Sequence, residues 1–218
     1  MLLPCYIKDI LEAGCDEAGR GPLAGSVFAA AVILPPEAAD SAWLAETGLD
    51  RLNDSKQLNE HTRYELRPLI EQHALAWAVA EVTAEEIDRI NILNASILGM
   101  QRALAKLTIQ PQHIIVDGNK WKPYVPEDSL LEIPANTVVK GDGKYLSIAA
   151  ASILAKTYRD DYMLRLHAEY PVYHWDENKG YPTPAHYATI KEHGISPYHR
   201  KTFNLKYELV PVSPRCKK

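Results

Sequence analysis

The sequence predicts an α/β fold in which helices cover a central β-sheet. Short apolar runs rich in Val, Ile and Ala alternate along the chain with longer segments whose apolar residues recur at helical intervals. The run at residues 27–34 is apolar almost throughout, which is typical of a strand buried on both faces. Several runs end at an acidic residue beside a glycine. The same pattern that predicts the sheet therefore also places carboxylates where strands terminate.

Length and composition indicate the number of domains and the cellular compartment. With 218 residues, of which 46% are hydrophobic, the chain is long enough for one substantial core, and we expect a single domain over residues 1–218. The three cysteines are scattered and lack C-x-x-C spacing, which disfavours a disulfide framework or a zinc knuckle and favours a reducing compartment. No signal-like segment opens the sequence, and no apolar run approaches roughly eighteen residues. We therefore expect a soluble, cytoplasmic protein that does not bind a membrane.

The net charge of −4 conceals an asymmetry between the two halves of the chain. Residues 1–116 contain 9 Lys and Arg against 16 Asp and Glu, whereas residues 117–218 contain 15 against 12. A basic surface for a nucleic acid is therefore expected in the second half. A mild asymmetry of this kind is also typical of ordinary solvated surface.

The predicted elements follow one another without repeats. Strands are predicted at residues 11–15, 25–34, 74–82, 113–116 and 137–140, and helices at 59–73, 83–106, 146–166 and 184–193. Two prolines end the second strand, and a loose stretch is expected from there to residue 53. The segment 83–106, a single helix or a helix pair, begins with capping-box spacing at Thr83 and Glu86. The alanines of the segment 146–166 predict a tightly packed helix.

The most unusual stretch, residues 15–25, joins the first two strands. Neighbouring side chains in a strand point to opposite faces, so Asp16 and Glu17 can converge only if the chain bends immediately after them, which Gly19 and Gly21 permit. An acidic pair beside a glycine loop that carries an arginine suits a phosphate held through a divalent metal ion. A solvated acidic pair followed by a turn is the plain alternative. A dinucleotide fingerprint is disfavoured, because the glycine spacing is one residue too long and a proline interrupts it.

Two further acids stand at predicted strand ends, Asp117 after residues 113–116 and Asp142 after residues 137–140. A glycine follows each, so each alone could mark a hairpin turn. Gathered with Asp16 and Glu17 at one edge of a sheet, however, they would repel one another by on the order of several kcal/mol unless cations neutralised them. Two divalent ions roughly 4 Å apart can activate a water on one side of a phosphodiester and stabilise the leaving oxygen on the other. The four acids therefore predict a hydrolytic site for Mg²⁺ or Mn²⁺.

Several blocks occur in a fixed order between about residues 11 and 205. They are Asp16-Glu17-Ala18-Gly19-Arg20-Gly21-Pro22, Asn53-Asp54-Ser55-Lys56, Val116-Asp117-Gly118, Lys140-Gly141-Asp142, Ser147 to Lys156, Arg159-Asp160 and Gly180-Tyr181-Pro182-Thr183. In this order they resemble the type 2 ribonuclease H family, and bacterial ribonuclease HII in particular. The resemblance implies a ribonuclease H-like fold with a central mixed sheet, and a C-terminal helical region at about residues 160–210 that helps to bind substrate.

The resemblance also implies an activity. It is the endonucleolytic hydrolysis of RNA in RNA/DNA hybrids, and incision 5′ of single ribonucleotides embedded in duplex DNA, leaving 5′-phosphate and 3′-hydroxyl ends. Asp16, Glu17, Asp117 and Asp142 become the catalytic metal ligands, with Asp16 bridging two ions.

Substrate contacts are implied as well. The family pattern assigns Gly19, Arg20 and Gly21 to the ribonucleotide's 2′-hydroxyl and adjacent phosphates, and Tyr181 to the deoxyribose that follows. This is physically reasonable, because only the 2′-hydroxyl distinguishes RNA from DNA at a given position, and backbone exposed by glycines can approach it closely. Further candidates for phosphate or supporting contacts are Ser55, Lys56, Lys144, Ser147, Ser152, Lys156 and Arg159. Of these, Ser147, Ser152 and Lys156 fit helix surface or packing equally well.

One loop, the C-terminal tail and three histidines are expected to lie outside the catalytic chemistry. Residues 121–134 are expected to form an acidic loop in which Trp121 packs rather than stacking on a base. The tail 212–218 lacks paired aromatics, so no sliding-clamp-binding peptide is expected, and we expect a monomer. The histidines His186, His193 and His199 are expected to be exposed or hydrogen-bonded rather than metal ligands.

Two rival functions are a non-catalytic nucleic-acid-binding protein on the same fold and a metal-dependent junction resolvase. The four acids argue against the first, and the glycine loop together with Tyr181 argues against the second.

Overall fold

A five-stranded mixed sheet forms the centre of the fold in the computed structural model, which describes residues 2–205. The strands are Glu12–Ala18 (β1), Val27–Ile33 (β2), Ala76–Val82 (β3), His113–Asp117 (β4) and Ala135–Val138 (β5). They lie in the order β3-β2-β1-β4-β5. The first three are antiparallel neighbours, whereas β4 runs parallel to both β1 and β5. The predicted mixed sheet is confirmed.

Seven α-helices surround the sheet in residues 2–205. They are Ser41–Thr47 (α1), Glu60–His73 (α2), Ala84–Ile90 (α3), Ile92–Ala105 (α4), Leu146–Glu169 (α5), Trp175–Asn178 (α6) and Pro184–His193 (α7). The predicted segment 83–106 is a helix pair, because Asn91 adopts a positive φ of 66° and separates α3 from α4. The capping box at Thr83 and Glu86 is present. The loose stretch expected before residue 53 was wrong in part, since α1 lies there, capped by Asp40 and ended by Gly48.

The buried second strand separates two cores. Ala29 and Ala31 of β2 belong to the core beneath α4, whereas Ala30 and Val32 belong to the core that α5 and α2 cover. All seven residues of β2 are buried, as its apolar sequence predicts. Because the inward side chains are mostly alanines, both helix layers approach the sheet closely. Close packing on both faces of the sheet holds the strand ends in defined positions.

Each strand differs from its predicted range by one to three residues at one end or both, and two of these differences concern acids. The antiparallel pairing of β1 with β2 continues to Ala18 opposite Phe28, so Asp16 and Glu17 lie within the strand. The strand therefore ends three residues later than predicted, and the chain bends at Gly19, one of the two glycines predicted to permit the bend. At the other edge, β5 ends at Val138, two residues earlier than predicted, and Asp142 lies in the 3-10 turn Gly141–Gly143.

The C-terminal helices pack on the loop that follows β1. A separate core contains residues of α5, α6 and α7, such as Met163, Trp175 and Ile190, together with Leu23 and Ala24 of the loop. Residues 212–218, on which the expectation about a clamp-binding peptide rests, lie outside the described residues. Within residues 2–205, none of the helices has the length and apolar character needed to span a bilayer.

Candidate active site

Strand pairing brings the predicted acids to one end of the sheet. Because Cys15 of β1 lies opposite Val116 of β4, the residues after them, Asp16 and Asp117, are neighbours. The turn that carries Asp142 is tied to the same place, since the backbone N–H of Gly141 donates to Oδ1 of Asp117 at 2.6 Å. Glu17 follows Asp16 directly. The four acids that the sequence predicts are thus positioned by three adjacent strand ends.

Burial and mutual repulsion disfavour the charged forms of these acids. Asp16 and Asp142 are each 4% exposed. Burial raises the pKa of Asp16 well above its usual range, and the charges of Glu17 and Asp117 raise it further. The pKa of Glu17 is raised by burial against the opposing effect of Arg20, and that of Asp142 by burial and then by Asp117. The positive charge near the acids is therefore too small to offset their burial and mutual repulsion.

One lysine partly compensates the acids. Nζ of Lys56 lies 3.5 Å from Oδ2 of Asp142 while its side chain remains largely exposed. Desolvation lowers the pKa of Lys56, but the charges of Asp142 and the nearby acids outweigh this effect and raise it. Asp54, which the sequence motif contains but which was not predicted as a site residue, also lies close enough to raise the pKa of Asp142.

Two serine hydroxyls lie beside Asp16. The Oγ atoms of Ser55 and Ser152 lie 2.7 Å apart and both residues are buried. The Ser152 hydroxyl also hydrogen-bonds Asp16, which counteracts the rise in that residue's pKa. These two predicted residues therefore lie at the acid edge, where they orient a carboxylate.

The donor set suits a divalent metal ion. Carboxylate oxygens are hard ligands that Mg²⁺ and Mn²⁺ prefer, and bound cations would relieve the repulsion that raises the pKa values. Within residues 2–205, no group of three or more Asp, Glu, His or Cys side chains is already arranged to hold an ion. An ion at these acids would therefore need substrate oxygens or water among its ligands.

The loop after β1, residues 19–25, which we call the glycine loop, bends away at its first residue. Gly19 has φ of +98°, and a Cβ there would lie 2.2 Å from Nε of Arg159, so any side chain would be excluded. Gly21 is different, since its nearest neighbour is Cε1 of Tyr181, at 3.7 Å from the place of a Cβ. Arg20 extends from the loop towards the acids, with Nη1 3.3 Å from Oε1 of Glu17.

Tyr181 belongs to a second loop, residues 179–183, which we call the tyrosine loop. The two loops are in direct contact, because the N–H of Leu23 donates to the carbonyl of Gly180 at 2.8 Å. The Tyr181 side chain is 39% exposed beside Gly21. The predicted ribose-recognition residues therefore form one continuous surface next to Glu17.

Two buried arginines hold the glycine loop through its carbonyl groups. Arg159 donates to the carbonyls of Ser26 and Ala24, and to Lys179 in the tyrosine loop. Arg200 donates to the carbonyls of Gly19, Arg20 and Gly25. Neither residue is exposed at all.

These bonds leave the outward face of the loop free. The backbone N–H groups of Arg20 and Gly21 donate to no group within residues 2–205. They are therefore available as donors to an anion.

The remaining predicted contacts lie elsewhere. Ser147 is buried against Gly14 of β1, and its Oγ has no hydrogen-bond partner within the described chain. Lys156 forms an ion pair with Asp160, with Nζ 2.6 Å from Oδ1. Lys144 is exposed two residues after Asp142. Trp121 packs against the core beneath α4, as predicted.

Arg200 was not predicted as a site residue, whereas Arg159 was predicted as a candidate for a phosphate or supporting contact. Residue 200 lies 175 or more positions from the carbonyls to which it donates, so no local pattern could reveal the pairing. His186 and His199 are buried and hydrogen-bonded, which confirms the expectation for them. His193 is exposed.

The chain matches one protein family over most of its length. The family model described as Ribonuclease HII matches residues 13–207. The ribonuclease HII of Phocaeicola vulgatus is 63% identical over 205 residues, which cover 94% of each chain. Among solved structures, the ribonuclease H2 of Pyrococcus horikoshii OT3 superposes with a TM-score of 0.70 at 28% identity, covering 89% of this chain and 94% of that one.

A second solved structure is the ribonuclease HII of Archaeoglobus fulgidus in a complex with PCNA. It has a TM-score of 0.68 at 26% identity and covers 91% of this chain and 98% of that one. The matches span nearly the whole chain, including the acid edge and both loops. The chain therefore belongs to the ribonuclease HII family, whose members are metal-dependent endoribonucleases that cleave the RNA strand of RNA/DNA hybrids.

Proposed function

We propose that the protein, besides cleaving RNA/DNA hybrids, incises duplex DNA on the 5′ side of a single embedded ribonucleotide by two-metal-ion hydrolysis. The observation that carries this proposal is the continuity of the acid edge with the ribose-recognition loops. Arg20 links the two parts through Glu17, and Tyr181 closes the surface over Gly21. A phosphate that reaches the acids therefore has its neighbouring ribose at the glycine loop.

The chain's own residues divide the chemistry between them. When bound, two Mg²⁺ or Mn²⁺ ions would activate a water and stabilise the leaving 3′-oxygen. The charges of both Glu17 and Asp117 act on Asp16, and these three residues together with Asp142 would hold the ions. Ser152 hydrogen-bonds Asp16 and orients it. Lys56 brings a positive charge beside Asp142, which attracts the scissile phosphate. The O3′–P bond breaks as the water oxygen bonds to phosphorus, which leaves 5′-phosphate and 3′-hydroxyl ends.

Ribose recognition follows from the free groups of the glycine loop. The N–H groups of Arg20 and Gly21 have no partner within residues 2–205 and can donate to a phosphate or to the 2′-hydroxyl. Tyr181 presents a ring face that suits a deoxyribose, because a 2′-hydroxyl against that face would lack a hydrogen-bond partner, at a cost of about 1 to 3 kcal/mol. The surface therefore favours a ribonucleotide followed by a deoxyribonucleotide.

Cleavage of a labelled duplex tests the proposal. The substrates are one duplex with a single ribonucleotide, the same duplex entirely of DNA, and a long RNA/DNA hybrid, each with magnesium or with a chelator. We expect magnesium-dependent incision of the first and third substrates only. The product of the first should carry a 3′-hydroxyl that a polymerase extends.

Matched variants test the acids in the same assay. Asp117→Asn and Asp142→Asn should reduce the rate by roughly two or more orders of magnitude, because an amide keeps the shape but loses the charge that holds an ion. The control Asp128→Asn, at an exposed position of the loop 121–134, should keep the normal rate. Equal cleavage of the all-DNA duplex, or full activity in either acid variant, would contradict the proposal.

Protein partners, oligomeric state and location in the cell are further parts of the proposal. The PCNA complex belongs to the archaeal protein, and for this chain we propose no clamp-binding peptide. A monomer acting in the cytoplasm stays our prediction.

A further inference from the structure

Arg200 is a buried cation whose donors go to backbone rather than to a carboxylate. Nη2 lies 2.6 Å from the carbonyl oxygen of Gly19, Nη1 lies 3.0 Å from that of Arg20, and Nε lies 2.9 Å from that of Gly25. Its own N–H donates to the carbonyl of Leu23 at 2.8 Å. Burial and the charge of Arg159 lower its pKa to about 9. Burying a guanidinium costs desolvation free energy, whereas an apolar side chain at the same place would not. The hydrogen bonds of Arg200 to three loop carbonyls therefore indicate that this residue fixes the geometry of the loop.

The residue before it, His199, begins a hydrogen-bonded chain that ends at Tyr181. Nδ1 of His199 accepts from the N–H of Ser196 at 2.9 Å, so the proton of the neutral ring is on Nε2, which donates to Nε2 of His186 at 3.2 Å. Trp175 also donates to that nitrogen. The proton of His186 is therefore on Nδ1, which donates to the carbonyl of Tyr181 at 2.9 Å. The donors and acceptors leave one tautomer for each ring.

His199 and Arg200 thus bind both ribose-recognition loops from one position on the chain. Arg200 fixes the glycine loop, and His199 fixes the tyrosine loop through His186. We propose that Arg200, His199 and His186 are positioning residues that set the spacing between the glycine loop and Tyr181, and thereby the preference for a ribonucleotide followed by a deoxyribonucleotide. The inference rests on the proposed function, because it assumes that these two loops recognise that junction.

The test compares kcat/KM on a single-ribonucleotide duplex with kcat/KM on a continuous RNA/DNA hybrid. His186→Gln reaches the Nε2 position and leaves the Tyr181 carbonyl without its donor, whereas His186→Asn places an amide nitrogen near Nδ1 and can restore that bond. Arg200→Lys keeps the charge but cannot serve three carbonyls at once. Tyr181→Ala is the reference for loss of junction recognition, and Arg89→Gln is a control that removes an exposed positive charge from α3.

The ratio of the two kcat/KM values should fall about five- to tenfold in His186→Gln and in Arg200→Lys, the effect of one lost orienting hydrogen bond. His186→Asn should restore the ratio even if its melting temperature is as low as that of His186→Gln. Arg89→Gln should leave it unchanged. The magnesium concentration for half-maximal rate should be the same in all variants, because the acids are untouched.

The outcomes distinguish a failure of the positioning role from a failure of the proposed junction recognition. If Tyr181→Ala lowers the ratio but His186→Gln and Arg200→Lys lower both rates equally, these residues only stabilise the fold and the inference is wrong. If His186→Asn and His186→Gln lose the ratio equally, the bond to Tyr181 is not the cause, which also refutes it. If Tyr181→Ala itself leaves the ratio unchanged, the junction-recognition part of the proposed function fails, and the inference falls with it.

Discussion

The two glycines of the Gly19-Arg20-Gly21 motif should respond oppositely to the same substitution. Gly19 has φ of +98°, and a Cβ there would lie 2.2 Å from Nε and 2.5 Å from Cδ of the buried Arg159. Gly21 lacks a positive φ, and a Cβ would meet Cε1 of Tyr181 at 3.7 Å, which is ordinary van der Waals contact. We therefore expect Gly19→Ala to damage the fold and Gly21→Ala to damage substrate binding alone.

The structure gives the size of each effect. In Gly19→Ala, left-handed backbone strain costs about 1 to 2 kcal/mol and a displaced buried hydrogen bond of Arg159 about 1 to 3 kcal/mol. A destabilisation of about 2 to 5 kcal/mol lowers the melting temperature of a domain this size by roughly 5 to 15 °C. In Gly21→Ala, the smaller entropy of the unfolded chain leaves stability unchanged or raises it by up to about 1 kcal/mol.

Gly21→Ala should instead lower activity without lowering stability. The methyl group of Gly21→Ala stands in the gap beside Tyr181 and holds the ribose away from the free N–H groups. A lost contact of about 1 to 3 kcal/mol lowers kcat/KM on a single-ribonucleotide duplex by between roughly fivefold and one hundredfold. Thermal melts and cleavage assays on both purified variants measure the two effects. Normal cleavage by a stable Gly21→Ala variant would refute the assignment of this loop to ribose recognition.

The other predictions concern the acids, the metal, the tyrosine and the histidine chain. Without metal, Asp117→Asn should melt at the same or a slightly higher temperature than the unchanged protein, because it removes a charge that repels Asp16; a clear fall would show that the charge is not destabilising there. Chelation should abolish cleavage, Mg²⁺ or Mn²⁺ should restore it, and Ca²⁺ should support little turnover because its coordination is longer and looser; metal-independent cleavage would exclude the mechanism. Tyr181→Ala should lose more activity on a single ribonucleotide than on a long hybrid with manganese, and Tyr181→Phe should lose less; equal losses with a lowered melting temperature would make Tyr181 structural. Burial lowers the pKa of His199 to about 3, below the unfolded value of about 6.5, so its contribution to stability is complete above pH 6.5 and falls by about 1.4 kcal/mol per pH unit as the pH drops towards 3. His199→Gln should therefore show a shallower loss of stability between pH 6.5 and 4 in denaturant titrations, and an unchanged slope would contradict the buried neutral state.

The acid edge could be predicted from sequence because its information is local. Each acid follows or ends a short apolar run, and strand ends that follow one another in a sheet bring such residues together. The error about the end of β1 arose because strand length depends on its partner, and the pairing of Ala18 with Phe28 is not visible in the local pattern. The helix α1 was missed because it has only seven residues and shows little periodicity.

Arg200 and the backbone partners of Arg159 could not be predicted, because these contacts join residues that are distant in sequence. Arg159 looks like a surface residue of an amphipathic helix, but α5 is buried on several sides and the guanidinium lies beneath Gly19. Lys156 has the same sequence character and instead forms an ion pair within α5. A charged residue in a helix reveals its role only when the packing of both faces of that helix is known.

The arrangement keeps the buried positive charges apart from the buried negative ones. Arg159 and Arg200 would form strong ion pairs with the acids if they reached them. Among the described residues 2–205, however, every hydrogen bond of their guanidinium groups goes to a carbonyl oxygen of the two loops or of Ser26. A permanent guanidinium at Asp16 would occupy the place of an exchangeable divalent ion, and it could not activate water. Neutral carbonyls hold the two arginines at a cost in desolvation, yet they leave the carboxylates uncompensated and turn the loop's N–H groups outward. The two buried arginines therefore leave the carboxylates, whose pKa values burial raises, without a guanidinium partner, and they leave the N–H donors of the glycine loop free.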